Sequence, residues 1–597
     1  MTAYIPPVRD IQFTLRHVAG LDKVLALPGF EEASDELAET IVAEAAKIAE
    51  ETLAPLNKIG DQQGSKLVDG KVKTPDGWQE AWNTLVEGGW NGLPFSPDYG
   101  GMGLPNLLNT AVSEMWQAAN MAFALNPMLT QGAVNAVQQF ATDELKNLYL
   151  PHMVTGEWTG TMNLTEPQAG SDLAAIRTRA EPVGDGSYKL FGQKIFITYG
   201  DHELSPNIVH LVLARLPDAP PGVKGISLFV SPKYLVDGEG DIGARNDVYC
   251  VSLEHKLGIH ASPTAVLSFG DNGGALGWMV GEPNRGLEYM FVMMNHARQA
   301  VGLQGLSIAD RAYQQALNYA KDRVQGRPAG WTEPGNTGIV NHPDVRRTLM
   351  SMKSRIEAMR GLLYTASAAH DIRHLHPDEA TRKAAGVLEE LLTPIAKGWS
   401  TETGQEIASL GVQIHGGMGF IEETGACQHL RDARITTIYE GTTAIQANDL
   451  VNRKLLRDKG ASFFAYLDEV KANAAALSAS DDANQKVLGD ELARAAGQVR
   501  DIAECILANA ADQAKAAAAA VPLLNAFGLL AGGHYLGLGA RAAAKLLAEG
   551  ANDDGFLAAK AVTARFFAEH HLGHVEGFRR SVLLGLGSVM ALSVEQL

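Results

Sequence analysis

The sequence is poor in the residues that build disulfide frameworks and metal sites. Among 597 residues it has only three cysteines, Cys250, Cys427 and Cys505, which are far apart and form no CxxC pair. Disulfide-stapled secreted domains are dense in cysteine, and structural zinc sites need closely spaced ligands, so neither class fits. We expect a protein of a reducing compartment that holds no metal.

Positive charge and uninterrupted apolar runs are also scarce. The net charge is −18, which argues against general binding to the phosphate backbone of nucleic acids. The N-terminus, MTAYIPPVRDIQF, lacks a basic region followed by an apolar run, so no secretory signal is predicted. The most apolar stretch, 515–533, contains Lys515, Pro522 and Asn525 and predicts a buried or interface helix rather than a membrane span. We expect a cytoplasmic protein without a nucleic-acid partner.

Several widespread catalytic motifs are missing as well. No GxGxxG follows a predicted strand, so a Rossmann site for nicotinamide has little support. HExxH, GxSxG and P-loop patterns are also absent. Any catalytic or cofactor-binding residues of this chain should therefore lie outside these widespread motifs.

The length predicts several domains, and the texture of the sequence changes along the chain. The helical period prevails up to about residue 155, including a run at 31–54 that is expected to end at Pro55. Between 156 and 280, short runs rich in Val, Ile, Thr and aromatic residues predict an antiparallel β-domain or small barrel. The predicted strands are 187–198, 207–216, 225–231 and 264–269.

After Gly286 the helical period returns at lengths typical of a helical bundle. The predicted long helices are 287–323, 344–371 and 379–410. A small and polar stretch at 457–485 predicts a boundary before a further helical region. The predicted class is α+β, with an N-terminal extension (1–34), an N-terminal α-domain (35–157), a central β-domain (158–280), a C-terminal α-domain (281–457) and an additional C-terminal helical domain (458–597).

Four unusual loops stand in order along this framework. They are 163–172 (NLTEPQAGSD), 194–200 (KIFITYG), 413–420 (QIHGGMGF) and 438–446 (IYEGTTAIQ). Taken alone, each has an ordinary interpretation: Thr165 and Ser171 suit turns, and Glu440 could be a helix-start carboxylate stabilised by the helix dipole. The other interpretation of Glu440 is a catalytic base. The four loops together are far more specific than any one of them.

In this order and spacing the loops resemble the acyl-CoA dehydrogenase flavoprotein family, over roughly 35–455. The resemblance implies FAD as cofactor, a C-terminal four-helix bundle, and oxidation of an acyl-CoA thioester to its trans-2-enoyl-CoA. The long N-terminal lead, the run 254–264 (EHKLGIHASPT) and the C-terminal extension are most similar to the subgroup that contains 3-methylmercaptopropionyl-CoA dehydrogenases. This implies methylthioacryloyl-CoA as product. The alternatives are a general short- or medium-chain dehydrogenase of β-oxidation and an acyl-CoA oxidase.

The resemblance also implies roles for individual residues. Glu440 would take the α-proton while its backbone N–H polarises the thioester oxygen, and Gly441 would leave room for the thioester. Some relatives carry the base one residue before an arginine on the long helix, where this chain has Ala297 before Arg298. The implied cofactor contacts are Thr165, Ser171, Phe196, Thr198, Arg323, Gln325, Gln413, Gly416, Gly417 and Thr442. The implied substrate contacts are Ser171, Asn295, Arg298 and Gly441.

Most of these positions keep a structural alternative. Phe196 could be strand core, Arg323 a solvated helix end, and Arg298 part of a structural ion pair. The glycines after Gln413 could be a helix C-cap. Three methionines that could line an acyl pocket are more often core at helical spacing: Met290, Met293 and Met294. The chain also departs from the family where relatives often carry an aromatic residue, since Gly326 and Arg327 follow Gln325.

The partners implied by the family are an acyl-CoA, an electron-transfer flavoprotein as acceptor and a second copy of the chain. FAD straddles two subunits in relatives, so at least a dimer is expected. The added C-terminal helices are expected to cover the face that forms tetramers in standard relatives, which favours a homodimer. A flavin-bearing DNA-associated protein of the same fold is the alternative from another class, and the acidic charge disfavours it.

Overall fold

The computed structural model describes residues 4–552 and 554–597, which form two compact units. The first unit combines the described residues up to Ala46 with Asn106–Ala118 and Val301–Leu597. The second unit combines Lys47–Pro105 with Ala119–Ala300. The predicted α+β class is confirmed, whereas the five predicted domain ranges remain a proposal.

The helices and strands follow the order helical, β, helical. The helices are α1 (Val8–His17), α2 (Leu21–Leu25), α3 (Asp35–Lys47), α4 (Ala54–Gln63), α5 (Trp78–Glu87), α6 (Asn106–Ala119), α7 (Met121–Phe140), α8 (Asp143–Thr155), α9 (Gly286–Asp322), α10 (Pro343–Leu375), α11 (Glu379–His415), α12 (Ala426–Ala433), α13 (Thr443–Asp449), α14 (Ala461–Ser478), α15 (Ala483–Ala508), α16 (Gln513–Ala548), α17 (Phe556–Phe567) and α18 (His574–Gly585). The strands are β1 (Lys66–Val68), β2 (Lys71–Lys73), β3 (Thr159–Asn163), β4 (Arg179–Pro182), β5 (Ser187–Thr198), β6 (Ile208–Ala214), β7 (Ser227–Pro232), β8 (Tyr234–Val236), β9 (Ile242–Arg245), β10 (Val248–Leu253), β11 (Thr264–Phe269) and β12 (Ala275–Val280).

The second unit is built around one sheet in the order β10-β11-β5-β12-β7-β6-β3, with β4 beside β5. Neighbouring strands are antiparallel except for the parallel pair of β3 and β6. β6 and β7 are buried at every position, which agrees with their nearly continuous apolar sequences. One apolar core lies on each side of this sheet. The predicted strands at 187–198, 207–216, 225–231 and 264–269 are confirmed as β5, β6, β7 and β11.

The core on one side of the sheet also receives α7, α8 and the first half of α9. Met290 and Met293 belong to this core with no exposed surface, and Met294 packs against it. Their apolar side chains therefore fill the interior of the second unit, as the structural alternative for these methionines expects.

The first unit is a bundle of long helices joined to the C-terminal helices. The predicted helices at 287–323, 344–371 and 379–410 are confirmed as α9, α10 and α11, within five residues at each end. α16 lies at the centre, where it packs against α10, α11, α13, α15 and α17. The N-terminal α1 joins the same body, because Phe13 contacts Ala543 and Leu557.

The prediction of a buried helix at 515–533 is confirmed by α16. Among the described residues, α16 is the one helix long and apolar enough to cross a membrane by length and composition, and 72% of its most apolar window is buried. A buried core helix can be as long and as apolar as a membrane-spanning helix, so the length and hydropathy of α16 are weak evidence for a span.

Two local predictions are wrong, each for a physical reason. The region up to 155 is not wholly helical, because β1 and β2 form a short antiparallel hairpin. Pro55 does not end the helical run, because a π-helical turn, Ile48–Leu53, leads into α4 and Pro55 lies in its first turn, where a missing N–H is tolerated. The polar stretch at 457–485 contains α14, which buries Phe463 and Leu467, and the predicted boundary in this stretch remains a proposal.

Candidate functional site

The predicted site residues are divided between the two units. The second unit contains Thr165, Ser171, Phe196, Thr198, Asn295 and Arg298. The first unit contains Arg323, Gln325, Gln413, Gly416, Gly417, Glu440, Gly441 and Thr442. Each group is described within its own unit.

In the second unit, the loop that carries Thr165 is joined to the end of β5. The amide of Ile195 donates to the carbonyl of Thr165 over 2.9 Å. Beside this contact the ladder between β5 and β11 is irregular, because two residues of β5, Ile195 and Phe196, oppose one of β11, Val266. Phe196 lies at this bulge with φ +60°, and the residue is 59% exposed. Thr165, Phe196 and Thr198 are thus brought to one edge of the sheet.

A buried ion pair lies under this edge. The Nζ of Lys194 donates to Glu166 Oε1 over 2.8 Å and to the carbonyl of Leu164 over 3.1 Å. Glu166 also accepts hydrogen bonds from the amide of Arg177 over 2.7 Å and from the hydroxyl of Thr178 over 2.6 Å. Lys194 has no exposed surface and Glu166 has 4%. The pair therefore joins the loop 163–172 to β5.

Burial and pairing set the charges of these two side chains. Burial alone would raise the pKa of Glu166, but the charge and hydrogen bonds around it, above all those of Lys194, lower that pKa to about 2. Burial lowers the pKa of Lys194 to about 8, against the attraction of Glu166. Both groups are charged at neutral pH, as the hydrogen-bond geometry requires.

The edge formed by these residues fits the ring system of a flavin. A large aromatic side chain with a positive φ costs roughly 1–3 kcal/mol of strain, and such outliers concentrate at ligand sites. Phe196 is held in this conformation by the bulge while most of its surface remains exposed. Half-buried Thr165 and Thr198 supply hydroxyl groups at the same edge, and Ser171 is exposed farther along the loop. Flat apolar surface with flanking hydroxyls suits an isoalloxazine ring.

The two predicted contacts on α9 differ in exposure. Asn295 is exposed, whereas Arg298 is 6% exposed. A guanidinium this deeply buried is compatible with the structural ion-pair alternative as well as with a contact to CoA. Their assignment stays a prediction.

In the first unit, Glu440 lies outside the helix that follows it. α13 begins at Thr443 with Thr442 as its N-cap, so Glu440 precedes the cap by two residues. Its backbone has φ +56°, an uncommon conformation for a residue with a side chain. The helix-start interpretation placed this carboxylate in the first turn of a helix, and the geometry disfavours it.

The backbone around Glu440 is held by two buried side chains. Gln446 Nε2 donates to the carbonyl of Glu440 over 3.1 Å, and Lys397 Nζ donates to the carbonyl of Gly441 over 2.7 Å. Gly441 has φ +88°, and a Cβ there would lie 2.8 Å from Gln446 Nε2 and 3.1 Å from Ile445 Cγ2. Glycine is therefore required at 441 by both conformation and space.

A second cluster in the first unit lies where α9 and α11 end. The ring of Tyr319 stacks on His415 at a centroid distance of 4.5 Å, which brings the segment after α9 beside the loop after α11. Arg323 and Gln325 are exposed just after α9, Gln413 is exposed in the last turn of α11, and Gly416 and Gly417 are exposed directly after it. A Cβ on either glycine would meet nothing within 4 Å. The bare backbone and the nearby guanidinium suit close approach of an anionic cofactor.

The chain's departure from the family after Gln325 has a structural counterpart. The amide of Gln325 donates to the carbonyl of Thr337 over 3.0 Å, and the amide of Thr337 donates to the carbonyl of Gly326. Arg327 Nε donates to the carbonyl of Gly335 over 2.9 Å. Arg327 thus ties down the loop 326–337 at the place where relatives often carry an aromatic ring.

Sequence reasoning missed the residues that hold these loops. Lys194, Glu166 and Gln446 stand within the recognised loops, but no role was predicted for them. Lys397 lies in an apolar stretch of α11, TPIAKGW, where a single cation was the available signal. The predicted roles of the site residues remain proposals.

Comparisons with known proteins cover nearly the whole chain. Family profiles described as the N-terminal, middle and C-terminal domains of acyl-CoA dehydrogenase match residues 35–157, 161–271 and 284–455. A profile described as acetyl-CoA dehydrogenase C-terminal like matches residues 466–593.

Whole-length relatives and a solved structure show the same extent. A 3-methylmercaptopropionyl-CoA dehydrogenase from Ruegeria pomeroyi is 48% identical over 95% of this chain and 96% of its own length. The broad-specificity linear acyl-CoA dehydrogenase FadE5 of Mycobacterium tuberculosis is 35% identical over 96% of both chains. The crystal structure of an acyl-CoA dehydrogenase complexed with FAD from Bacillus anthracis has a TM-score of 0.74 at 21% identity, covering 96% of this chain and 92% of that one. The fold expected from the four loops, including the added C-terminal helices, is confirmed.

Proposed function

This chain belongs to the acyl-CoA dehydrogenase family, and we propose that its substrate is 3-methylmercaptopropionyl-CoA, which it oxidises to methylthioacryloyl-CoA. It is an FAD-dependent oxidoreductase of acyl-CoA thioesters. The observation that carries the substrate proposal is the 48% identity to the Ruegeria pomeroyi enzyme over 95% of the chain. Over the same extent, the identity to the broad-specificity FadE5 is 35%.

In this reaction the side chain and the backbone N–H of Glu440 have different roles. The Glu440 carboxylate takes a proton from the α carbon, and its backbone N–H donates to the thioester oxygen, where negative charge develops. FAD, when bound, supplies the oxidant that accepts a hydride from the β carbon. The thioester thus loses one proton and one hydride, and a carbon–carbon double bond forms. The positive φ of Glu440 supports this assignment, because a strained non-glycine residue that the surroundings hold in place is typical of preorganised sites.

Pentanoyl-CoA is the matched test of the substrate proposal, because it replaces the thioether sulfur by a methylene and keeps the chain length. We expect kcat/KM to favour the thioether substrate by at least about 10-fold, a discrimination that apolar pockets achieve for one-group differences. Butyryl-CoA and octanoyl-CoA complete the panel. Equal values for the thioether and pentanoyl substrates would contradict the proposal and favour a general short- or medium-chain dehydrogenase, to which the likeness to FadE5 lends support.

We further propose that an electron-transfer flavoprotein reoxidises the flavin, as is typical of the family. The alternative is an acyl-CoA oxidase, which passes its electrons to oxygen. Turnover in air with stoichiometric release of peroxide would contradict the proposal. Turnover that depends on added electron-transfer flavoprotein, without peroxide, is the expected result.

We also propose a cytoplasmic homodimer. Support comes from the exposed Arg323 and the bare backbone at Gly416 and Gly417, which suit a cofactor shared with a second copy. Size-exclusion chromatography with light scattering should give twice the chain mass of 63.7 kDa. A monomer or a tetramer in that measurement would rule the dimer out.

A further inference from the structure

A lysine lies buried beneath the segment that carries Glu440. Lys397 is in the middle of α11 with no exposed surface, and its neighbours Ile395, Ala396 and Trp399 are buried apolar residues. Its Nζ donates to the carbonyl of Gly441 over 2.7 Å. An ammonium group is costly to bury, so one that reaches out of an apolar helix face to a loop carbonyl calls for a specific reason.

Lys397 and Gln446 together fix two consecutive carbonyl groups. Gln446, itself without exposed surface, donates to the carbonyl of Glu440, and Lys397 donates to the next one. Glu440 and Gly441 have φ values of +56° and +88°, so two residues in succession are left-handed. Such a conformation persists only where the surroundings over-determine it. The two donors supply that restraint at the residue whose carboxylate has to be aimed.

The lysine itself is held in place by the C-terminal helix α16. A Cβ on Gly398 would lie 2.9 Å from Leu524 and 3.4 Å from Gln446 Cβ, so α11 passes close to both α16 and α13 at this point. One residue later, Trp399 packs on Gly528 of α16 so closely that a Cβ there would lie 2.2 Å from the indole. α11 therefore has no space to shift at Lys397, and the ammonium group stays under Gly441.

We propose that Lys397 is a positioning residue for the base: by holding the Gly441 carbonyl it fixes the backbone of Glu440 and so aims the carboxylate at the α carbon. The inference rests on the proposed function for the role of Glu440. In this role Lys397 acts through its hydrogen bond to the backbone carbonyl of Gly441. The C-terminal helix α16 contributes to this positioning, because it packs against Gly398 and Trp399, which follow Lys397 in α11.

The test is Lys397→Met in the full-length, FAD-loaded enzyme, since methionine keeps an unbranched apolar chain and removes the donor. We expect kcat to fall on the order of 100-fold, the cost of a misplacement of about 1 Å, with KM changed by less than about threefold. Hydrogen–deuterium exchange of the amides in 438–446 should become faster in the substrate-free protein, while exchange elsewhere in α11 stays the same. Lys454→Met is the matched control, because Lys454 is a mostly buried lysine of the same unit that pairs with Glu390 over 3.0 Å.

Glu440→Gln separates failure of the inference from failure of the proposed function. If Glu440→Gln is inactive while Lys397→Met keeps the wild-type kcat and the wild-type exchange in 438–446, the positioning role is refuted and the function stands. If Glu440→Gln keeps full activity, the proposed function is wrong. Should Lys397→Met fail to fold, Gln446→Met removes the other donor. The same fall in kcat and faster local exchange would then support the restraint, and wild-type values would overturn it.

Discussion

Replacing Lys194 by methionine should destabilise the second unit by about 3–5 kcal/mol. The substitution removes the ammonium group from a buried pair and leaves Glu166 charged beneath the edge that carries Phe196. Removing one partner of a buried ion pair has a cost of this size, because the remaining charge loses its compensation.

The pKa values indicate how this free energy is divided. The pKa of Glu166 falls from its ordinary value of 4.5 to about 2, which corresponds to about 3 kcal/mol of stabilisation at neutral pH. The pKa of Lys194 falls from 10.5 to about 8, which corresponds to about 3 kcal/mol in the opposite direction. Both shifts contain the same attraction between the two charges, so they do not simply add, and the net contribution of the intact pair is smaller than the loss when one partner is removed. The double variant Lys194→Met with Glu166→Gln should cost only about 1–2 kcal/mol, because the amide oxygen still accepts from Arg177 and Thr178.

The dependence on pH has a definite sign. Because the folded-state pKa of Glu166 is depressed, its stabilisation is complete above about pH 4.5 and is lost as the pH falls towards 2. The difference in stability between wild type and Lys194→Met should therefore be largest at neutral pH and shrink in acid. Guanidinium unfolding followed by fluorescence at pH 7 and pH 4 measures this, and the FAD content of the purified protein reports on the sheet edge. Equal unfolding midpoints for wild type and Lys194→Met at pH 7, with equal FAD content, would show that the ion pair does not support the second unit.

Three further substitutions test other parts of the account. Gly441→Ala places a Cβ 2.8 Å from Gln446 Nε2 at a residue with φ +88°. Because this conformation is strained for alanine, kcat in steady-state assays should fall at least about 10-fold while the FAD content is retained. Phe196→Ala should weaken FAD binding in a fluorescence titration and leave the melting temperature nearly unchanged, because the residue is 59% exposed. Gly528→Ala places a methyl group 2.2 Å from the indole of Trp399 and should cost about 1–3 kcal/mol in thermal unfolding; an unchanged melting temperature would show that α16 does not pack as described.

The architecture was predictable because its periodicity is strong. β5 has the predicted limits of 187–198, and the long helices α9 to α11 were found within a few residues. The failures concern places where tertiary contacts override local rules. Pro55 lies in the first turn of α4, where its backbone nitrogen needs no hydrogen-bond partner, because a π-helical turn precedes this helix. The amino-acid composition does not reveal the π-helical turn.

The site was predictable in part, for a similar reason. The unusual residues of the loops led to the prediction of roles for Glu440 and Gly441, which remain proposals, whereas the left-handed backbone at these two residues was not predicted. Lys397 lies 43 residues before Glu440 in sequence, and only the fold brings its ammonium group to the Gly441 carbonyl. The pairing of Lys194 with Glu166 likewise joins a strand to a loop 28 residues earlier in the sequence, and only the fold brings the two side chains together.

We propose that the carboxylate of Glu440 removes the α-proton. The decisive experiment is to mix Glu440→Gln holoprotein with 3-methylmercaptopropionyl-CoA in the absence of oxygen. The amide keeps the size of the side chain and cannot act as the base. We expect the flavin absorbance to bleach at least about 10³-fold more slowly than in wild type, in the range typical for loss of a general base. Bleaching at the wild-type rate, in protein that is folded and carries its full complement of FAD, would contradict the account.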